Sequence, residues 1–464
     1  MDYDVLILGG GIIGCAAAYE LSKYSLNIAL IEKDYDIADD VALINSSIVY
    51  DGVECEDNLM CKLEIMGNYM MNEITKKFNV PFERKDSLTI FESDYQSKKI
   101  QYIYERAKKR GIKDIYMLDK NSIGDIEPNL NINVKNALYS KNKGVICPYD
   151  LAIAYGEVAF DNGVNFKLEE EVLDIQKISK GFRVITNKNK FTCNMVLNTI
   201  PGDIYTVNSP LEKSIEKNNK KLNFMLFKKG AFNSSGNIIN IINDNEEIQY
   251  SNTIQGDILL ALKSNRSFQY EETLSKSKLL FNQVDHKKVS AFYHWSYYEN
   301  KIIIDDSLID KGYIKVTGKH YGQVTMTPAI AKIACETIVS NLNCMLKKDF
   351  VDKRREIYRF KELSNNEKID LINMDKKYGK IICNCKHVTE GEIIDAIRRP
   401  LGARTIEGIK RRTGAILGDC QGSYCLDKII SILARETNKN ISDIVKDSKN
   451  SNILSVRIKQ FNSM

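Results

Sequence analysis

The chain opens on DYDVLILGGGIIGCAAAYELSKYSLNIALIEK, residues 2–33, in which apolar runs flank a glycine turn. Val5–Leu8 is continuously apolar and ends at glycine, the pattern of a short strand buried on both faces. From Ile12 to Tyr24 the apolar positions fit a helix, and the small residues Ala16–Ala18 allow it to pack closely on a sheet. Asn27–Glu32 predicts a second strand. Residues 60–80 and 150–162 carry amphipathic helix patterns. The stretch 211–300 is strand-like and polar, with Asn, Asp and Gly punctuation that suits an antiparallel sheet. A strand over Tyr313–Thr317 precedes a helix over Pro328–Asn341, and a charged connector runs from Lys347 to Lys368. Beyond it, VTEGEIIDAIRR, ARTIEGIKRRTG and LDKIISILARE each predict a short helix. The first has Thr389 three residues before Glu392, the spacing of a capping box.

Composition narrows the class. At 464 residues the chain can bury a full core and divide into two or three domains. Its 66 basic and 61 acidic residues leave a net charge of +5, and no basic stripe interleaves with aromatics, so nucleic acid is not an expected partner. The N-terminal run lacks the charged region and cleavage site of a signal peptide. The most apolar stretch, Val5–Ala18, is interrupted by glycines and is too short to span a bilayer. These features predict a soluble, cytoplasmic protein with no transmembrane segment. Of the eleven cysteines, seven are scattered singly and read as small, mostly core residues.

The glycine turn carries the first chemistry. Gly9-x-Gly11-x-x-Gly14 lies between a predicted strand and helix, and Glu32 ends the next strand. The first glycine permits a tight turn, the second a close approach to a diphosphate, and the third close helix–strand packing. Glu32 can accept from ribose hydroxyls, and the helix N-terminus offers free N–H groups to phosphate. The motif alone does not separate FAD from NAD.

DVLILGGGIIG, KFNVPFERKDSLTIF, GVICPYDLAIAYGEVAFDNGVNFKLEEEVLDI and YIKVTGKHYGQVTMTPAIA together resemble the FAD-dependent amino acid/glycerol-3-phosphate oxidoreductases, the D-amino acid oxidase-like group. The likeness covers most of residues 1–345 and is strongest to the branch similar to anaerobic glycerol-3-phosphate dehydrogenases. It implies FAD as cofactor, with Val172 against the adenine and Asn45 and Ser46 beside the diphosphate and flavin. It also implies that Gly318–Pro328, including Gly322, Gln323 and Thr325, passes the flavin ring. The helix that follows would stabilise the anionic reduced flavin through its dipole.

The sequence departs from that family around the same ligand. Asp40 stands where glycine is expected, and Tyr50-Asp51 replaces His-Ala. Asn198–Gly202 replaces an Asn-Ala-Ala-Gly turn, and Gly322-Gln323 replaces Pro-Gly. The family's substrate-binding arginine has no counterpart in SAFYHWSYYEN. A carboxylate about 5 Å from a phosphate charge costs roughly 3 kcal/mol at an effective dielectric of about 20. Of the four histidines, His286, His294, His320 and His387, the likeness brings His294 and His320 toward the flavin. Phe292–Glu299 holds the only Trp and fits either a pocket wall or a half-buried aromatic strand. No catalytic residue is assigned.

The remaining four cysteines form Cys383-x-Cys385 … Cys420-x4-Cys425, within a helical unit too poor in core to stand without a staple. Four thiolates hold either structural zinc or a [2Fe–2S] cluster, and ligand chemistry alone does not choose. With VTEGEI, GARTIEGIKRRT and GDCQGSYC, the stretch from Tyr378 to Glu436 resembles the bacterioferritin-associated ferredoxin-type domain, which implies [2Fe–2S]. Lys410, Arg411 and Arg412 read either as an offset to cluster charge or partner dock, or as a solvated helix face.

The expected architecture is α/β. It has a glutathione-reductase-type Rossmann FAD domain with an interleaved antiparallel substrate domain over 1–346. FAD parts fall near 1–80, 145–210 and 300–346, and substrate parts near 81–144 and 211–299. A linker over 347–377, a small α-helical [2Fe–2S] domain over 378–440 and a tail over 441–464 complete it. The expected function is a dehydrogenase that oxidises a small hydroxy or amino acid-type substrate, glycerol 3-phosphate among them, by hydride transfer to FAD. Electrons would leave through the cluster to a partner subunit or quinone-linked acceptor, with attachment at the membrane through such a partner. The alternative is a non-catalytic electron-transfer or interaction subunit that keeps the fold and cluster.

Overall fold

The computed structural model describes residues 1–38, 47–91, 97–131, 134–200, 218–233, 236–243, 246–281, 284–299 and 301–454. Tyr3–Leu8 sits inside a mainly parallel sheet, paired on one side with Ile28–Ile31 and on the other with Lys190–Asn198. Tyr313–Thr317 and Asn165–Lys167 extend it in parallel on either side. Its first strands are apolar on both faces because the helices Ile12–Ser22, Pro148–Asp161 and Gln323–Leu342 cover one side. The hairpin Val172–Lys177/Phe182–Thr186 attaches at Lys190–Asn198 and contributes to the apolar cluster that contains Leu6 and Leu8.

The second sheet gathers strands from 48–146 and 218–299. The sequence predicts an antiparallel sheet; the structure makes one junction parallel, where Ile238–Ile242 meets Phe82–Phe91. That junction joins two distant segments, so no hairpin dictates its direction. Val289–Glu299, the aromatic stretch, is an edge strand of this sheet, with Tyr293 stacked on Phe224 and Trp295 half exposed.

Two local expectations change. The helix predicted from Pro328 begins at Gln323 and carries Pro328 inside it. Proline marks a probable boundary, but here the buried side chains Val324, Met326, Ala329 and Ile330 hold the preceding turn. The charged connector is also no free tether. Arg354 is buried and donates to Glu157 at 2.6 Å and Asp150 at 2.7 Å. A helix over Asn365–Met374 follows it.

The C-terminal unit has its own core around Ile393, Ile397, Ile409, Ile429 and Leu433, joined by Ile444. It stacks on the parallel-sheet body through buried ion pairs. Arg399 donates to Glu157 at 2.9 Å, and Arg412 to Asp36 at 2.6 and 2.7 Å. Burial works to raise the carboxyls of Asp36 and Glu157, but the facing arginines outweigh it and hold both below the usual range. Such groups stabilise the fold above their unfolded pKa, near pH 4, and lose that contribution as pH falls through the folded value. Acidification below about pH 4 is therefore expected to release the C-terminal unit before the sheets unfold. Hydrogen exchange of residues 390–413 against pH checks this. Loss of protection that coincides with global unfolding would contradict it. Among the described residues no helix is long and apolar enough to cross a membrane.

Candidate functional site

The glycine turn has the shape its spacing requires. Gly9 adopts φ +101°, a conformation other residues rarely take. A Cβ on Gly14 would run into the Gly9 carbonyl, so only glycine lets the helix lie this close to the strand. Gly11 precedes the first helical turn and faces open space, where a diphosphate can approach the backbone. Glu32 leaves the end of the second strand and accepts from Gly10 N–H at 2.5 Å and Asp34 N–H at 2.9 Å. Burial raises its carboxyl above the usual range. This arrangement of free helix N–H groups, open turn and strand-end carboxylate is what a dinucleotide needs. Val172 is buried beside Leu6, Leu8 and Ile31, on the strand edge next to Glu170. Asp40, Asn45, Ser46, Pro201 and Gly202 lie outside the described residues. Gly14→Ala is expected to weaken FAD binding at least about tenfold, read by flavin fluorescence titration; unchanged affinity would remove the turn from the site.

A second locus forms where the two sheets face each other, at the N-terminus of the helix Gln323–Leu342. Gly318, at φ +107°, lets the chain pass the Lys301 carbonyl, and Gly322 caps the helix. His320 Nδ1 accepts from the Gly322 N–H at 3.1 Å. In the neutral ring this leaves the proton on Nε2. The expected flavin-facing Thr325 is buried, and its hydroxyl accepts from the Tyr50 N–H at 3.0 Å. Tyr50, whose phenol stands in the family's histidine position, packs edge-on against Tyr321 and donates to Gln249 Oε1 at 3.2 Å. From the second sheet, Lys263 Nζ lies 4.7 Å from the Tyr321 ring centroid and 3.9 Å from Glu247 Oε2. Gln249, Lys263 and Tyr321 have no sequence signal beyond their strand and loop settings. His294 is exposed on the edge strand, and His286 and His387 lie outside this locus.

Behind the locus lies a buried charge cluster. Lys143 is 1% exposed and donates to Glu54 at 2.5 Å, which also accepts from the Thr89 hydroxyl at 2.6 Å. Asp51 accepts from Ser140 at 2.6 Å. Glu64 abuts Gly322, and one of its carboxyl oxygens has no hydrogen-bond partner among the described residues. Burial, with Glu54 and Asp51 nearby, holds Glu64 well above the usual carboxylate range, while Lys143 and two hydroxyl and ammonium bonds keep Glu54 below it. The Asp51 that departs from the family's Ala is thus matched by charge and hydroxyl partners.

In the C-terminal unit the four cysteines come together as two pairs. Cys383 meets Cys425, and Cys385 meets Cys420. Among the described residues no three Cys, His, Asp or Glu side chains converge as ligands of a single ion would. Two thiol pairs suit a two-iron centre with two thiolates per iron. Cys420 faces the backbone N–H groups of Tyr424, Gly422 and Ser423, which lower its pKa. Gly418 is required because a Cβ there would collide with Cys385. The cysteine loops also touch the second sheet, through Lys228 to Asp419 at 2.8 Å, Lys386 to Asp257 at 3.1 Å and Gln421 to the Ser290 carbonyl at 2.9 Å. Arg411 and Arg412 correct the sequence expectation. They do not form a solvated helix face, but are 6% and 5% exposed and grip Asp36.

Comparison with known proteins places both units. The family described as FAD dependent oxidoreductase matches residues 4–205, and the BFD-like [2Fe-2S] binding domain matches 381–435. A glycerol 3-phosphate dehydrogenase of Caloramator mitchellensis is 34% identical across 97% of this chain and 98% of its own length. A glycerol 3-phosphate oxidase of Mycoplasma pneumoniae is 29% identical over 41% of the chain and 50% of its own. Among solved structures, the FAD-bound L-alpha-glycerophosphate oxidase of Mycoplasma pneumoniae covers 77% of this chain and 99% of its own. Its TM-score is 0.66 at 20% identity, a likeness of fold.

Proposed function

The chain belongs to the FAD-dependent oxidoreductases, as a dehydrogenase with a [2Fe–2S] domain, and we propose that it oxidises glycerol 3-phosphate or a close anionic hydroxy compound. The observation that carries this is the likeness to a glycerol 3-phosphate dehydrogenase across 97% of this chain and 98% of that protein. That likeness favours the enzyme over a non-catalytic electron-transfer subunit. Bound FAD supplies a two-electron hydride acceptor, and the cluster, held on our reading by Cys383, Cys385, Cys420 and Cys425, supplies a one-electron exit.

The chain's own residues then have to bind and orient the substrate. Lys263 offers a cation at the face of Tyr321, in place of the arginine the sequence lacks. The aromatic rings of Tyr50 and Tyr321 exclude water beside them. Val172 against the adenine, Asn45 and Ser46 beside the diphosphate and flavin, and Gly318, Gly322, Gln323 and Thr325 along the flavin ring remain the FAD contacts we propose.

Anaerobic addition of glycerol 3-phosphate is expected to bleach the flavin absorbance and then that of the cluster. Bleaching only by a 2-hydroxy acid would reassign the substrate, and no bleaching by either would sink the proposal. Lys263→Met is expected to raise KM for the anionic substrate about tenfold with a smaller change in kcat, the pattern of lost uniform binding. An electron-accepting partner subunit or quinone-linked acceptor completes the reading. Turnover with a soluble one-electron acceptor but not with oxygen supports it.

A further inference from the structure

The segment that leaves Glu32 does not run free into solvent. Residues 33–38 fold back on the glycine turn, where Ala38, at φ +62°, donates its N–H to the Gly10 carbonyl at 2.9 Å. Glu32 holds the other end by accepting from Gly10 and Asp34. The turn thus closes one wall of the dinucleotide site.

The outer face of this wall belongs to the C-terminal unit. Asp36 is 3% exposed and receives both terminal nitrogens of Arg412, at 2.6 and 2.7 Å, with Arg411 at 3.3 Å. Arg412 also donates to the Leu401 carbonyl at 2.6 Å. Gly408 must be glycine for its helix to approach, since a Cβ there would lie 2.7 Å from Asp36 Oδ2. Ile37 is fully buried; a Cβ on Gly156 would lie 2.5 Å from Ile37 and 3.1 Å from Leu401. A two-pronged Arg–carboxylate contact fixes orientation as well as distance. The element that shapes the cofactor wall is therefore held by a residue of the other unit, 376 positions away.

We infer that the Asp36–Arg412 fork is a positioning pair that couples cofactor binding to docking: the C-terminal unit orders the 33–38 turn, and FAD in turn tightens the C-terminal unit onto the body. Linkage makes the effect reciprocal, so whatever FAD gains from docking, docking gains from FAD. The enzyme would hold its flavin tightly only while the C-terminal unit is docked. The inference rests on the glycine turn being the FAD site.

The test uses the full-length chain with its cluster, as wild type, Asp36→Asn, Arg412→Met and the double variant. Flavin fluorescence gives FAD affinity, hydrogen exchange reports residues 33–38 and 406–413, and visible absorbance after FAD removal shows that the cluster domain remains folded. Each single variant is expected to lose about tenfold or more in FAD affinity with cluster absorbance retained, and the double variant to lose no more than either single. In the wild type, adding FAD is expected to slow exchange at 406–413. FAD affinity within about twofold of wild type in both variants overturns the inference, as do losses that multiply in the double variant. Should either variant fail to fold, the wild-type exchange decides alone, and no FAD-dependent protection at 406–413 overturns it. A wild-type chain that binds no FAD would instead defeat the reading of the glycine turn, and this inference with it.

Discussion

Cys420→Ser is expected to strip the protein of its iron–sulfur absorbance and iron while leaving FAD bound. Thiolate ligation is the reason. Serine keeps the size and the hydrogen bond but not the soft donor, and a cluster held through four cysteines loses one iron's pair when one thiol is removed. Cys420 is the sharpest position because its sulfur faces three backbone N–H groups, which favour the thiolate. Its partner in the pair, Cys385, abuts Gly418, so the loop has little room to shift a substitute ligand into place. Iron analysis and visible spectra of anaerobically purified protein decide it. Full iron content in the variant would remove Cys420 from the ligand set. Zinc in place of iron in the wild type would overturn the cluster assignment itself. Substrate should still bleach the flavin in Cys420→Ser, while transfer to an external one-electron acceptor falls by at least about tenfold.

Lys143→Met is expected to cost about 3–5 kcal/mol of stability, the usual cost of removing one partner of a buried ion pair. Lys143 is fully buried, and Asp51, Glu54 and Glu64 surround it. Without the ammonium, Glu54 keeps only the Thr89 hydroxyl among its side-chain partners, facing two other buried carboxyls. The cheapest response is protonation, which raises the carboxyl pKa values in the folded variant. A raised folded pKa stabilises below the unfolded value and is lost as pH rises, so the deficit should be smallest near pH 4 and grow toward neutrality. Glu54→Gln in the same chain should recover part of it. Denaturant unfolding at two pH values measures this, and a loss under about 1 kcal/mol at neutral pH would show that water reaches the cluster.

The two predictions differ in how their residues could be found. Cysteines spaced one and four residues apart are visible in the sequence because each pair is local, and the likeness to a known domain joins the pairs. The glycine turn is legible for the same reason: strand, turn, helix and terminal carboxylate all fall within residues 3–32. Lys143 looks like any surface lysine in YSKNKG until the strand Asn136–Ile146 places it opposite Glu54, 89 positions away. The aromatic strand was readable as a strand, but not as an edge, since that depends on which neighbours the sheet recruits.

By itself the sequence determined the parts whose physics is short-range: a strand–glycine–helix unit shaped for a diphosphate, a capping box at Thr389, and two close-spaced pairs of thiols. Only the tertiary structure decided what those parts face. It turned Arg412 from a helix-surface charge into the anchor of the Asp36 turn, buried a supposed linker arginine against Glu157, and set Lys263 over Tyr321 where no arginine was available. These contacts join segments whose local patterns are independent of one another. Each becomes favourable only after the sheets and helices have paid the entropy of bringing distant chain together, so no local spacing can encode it.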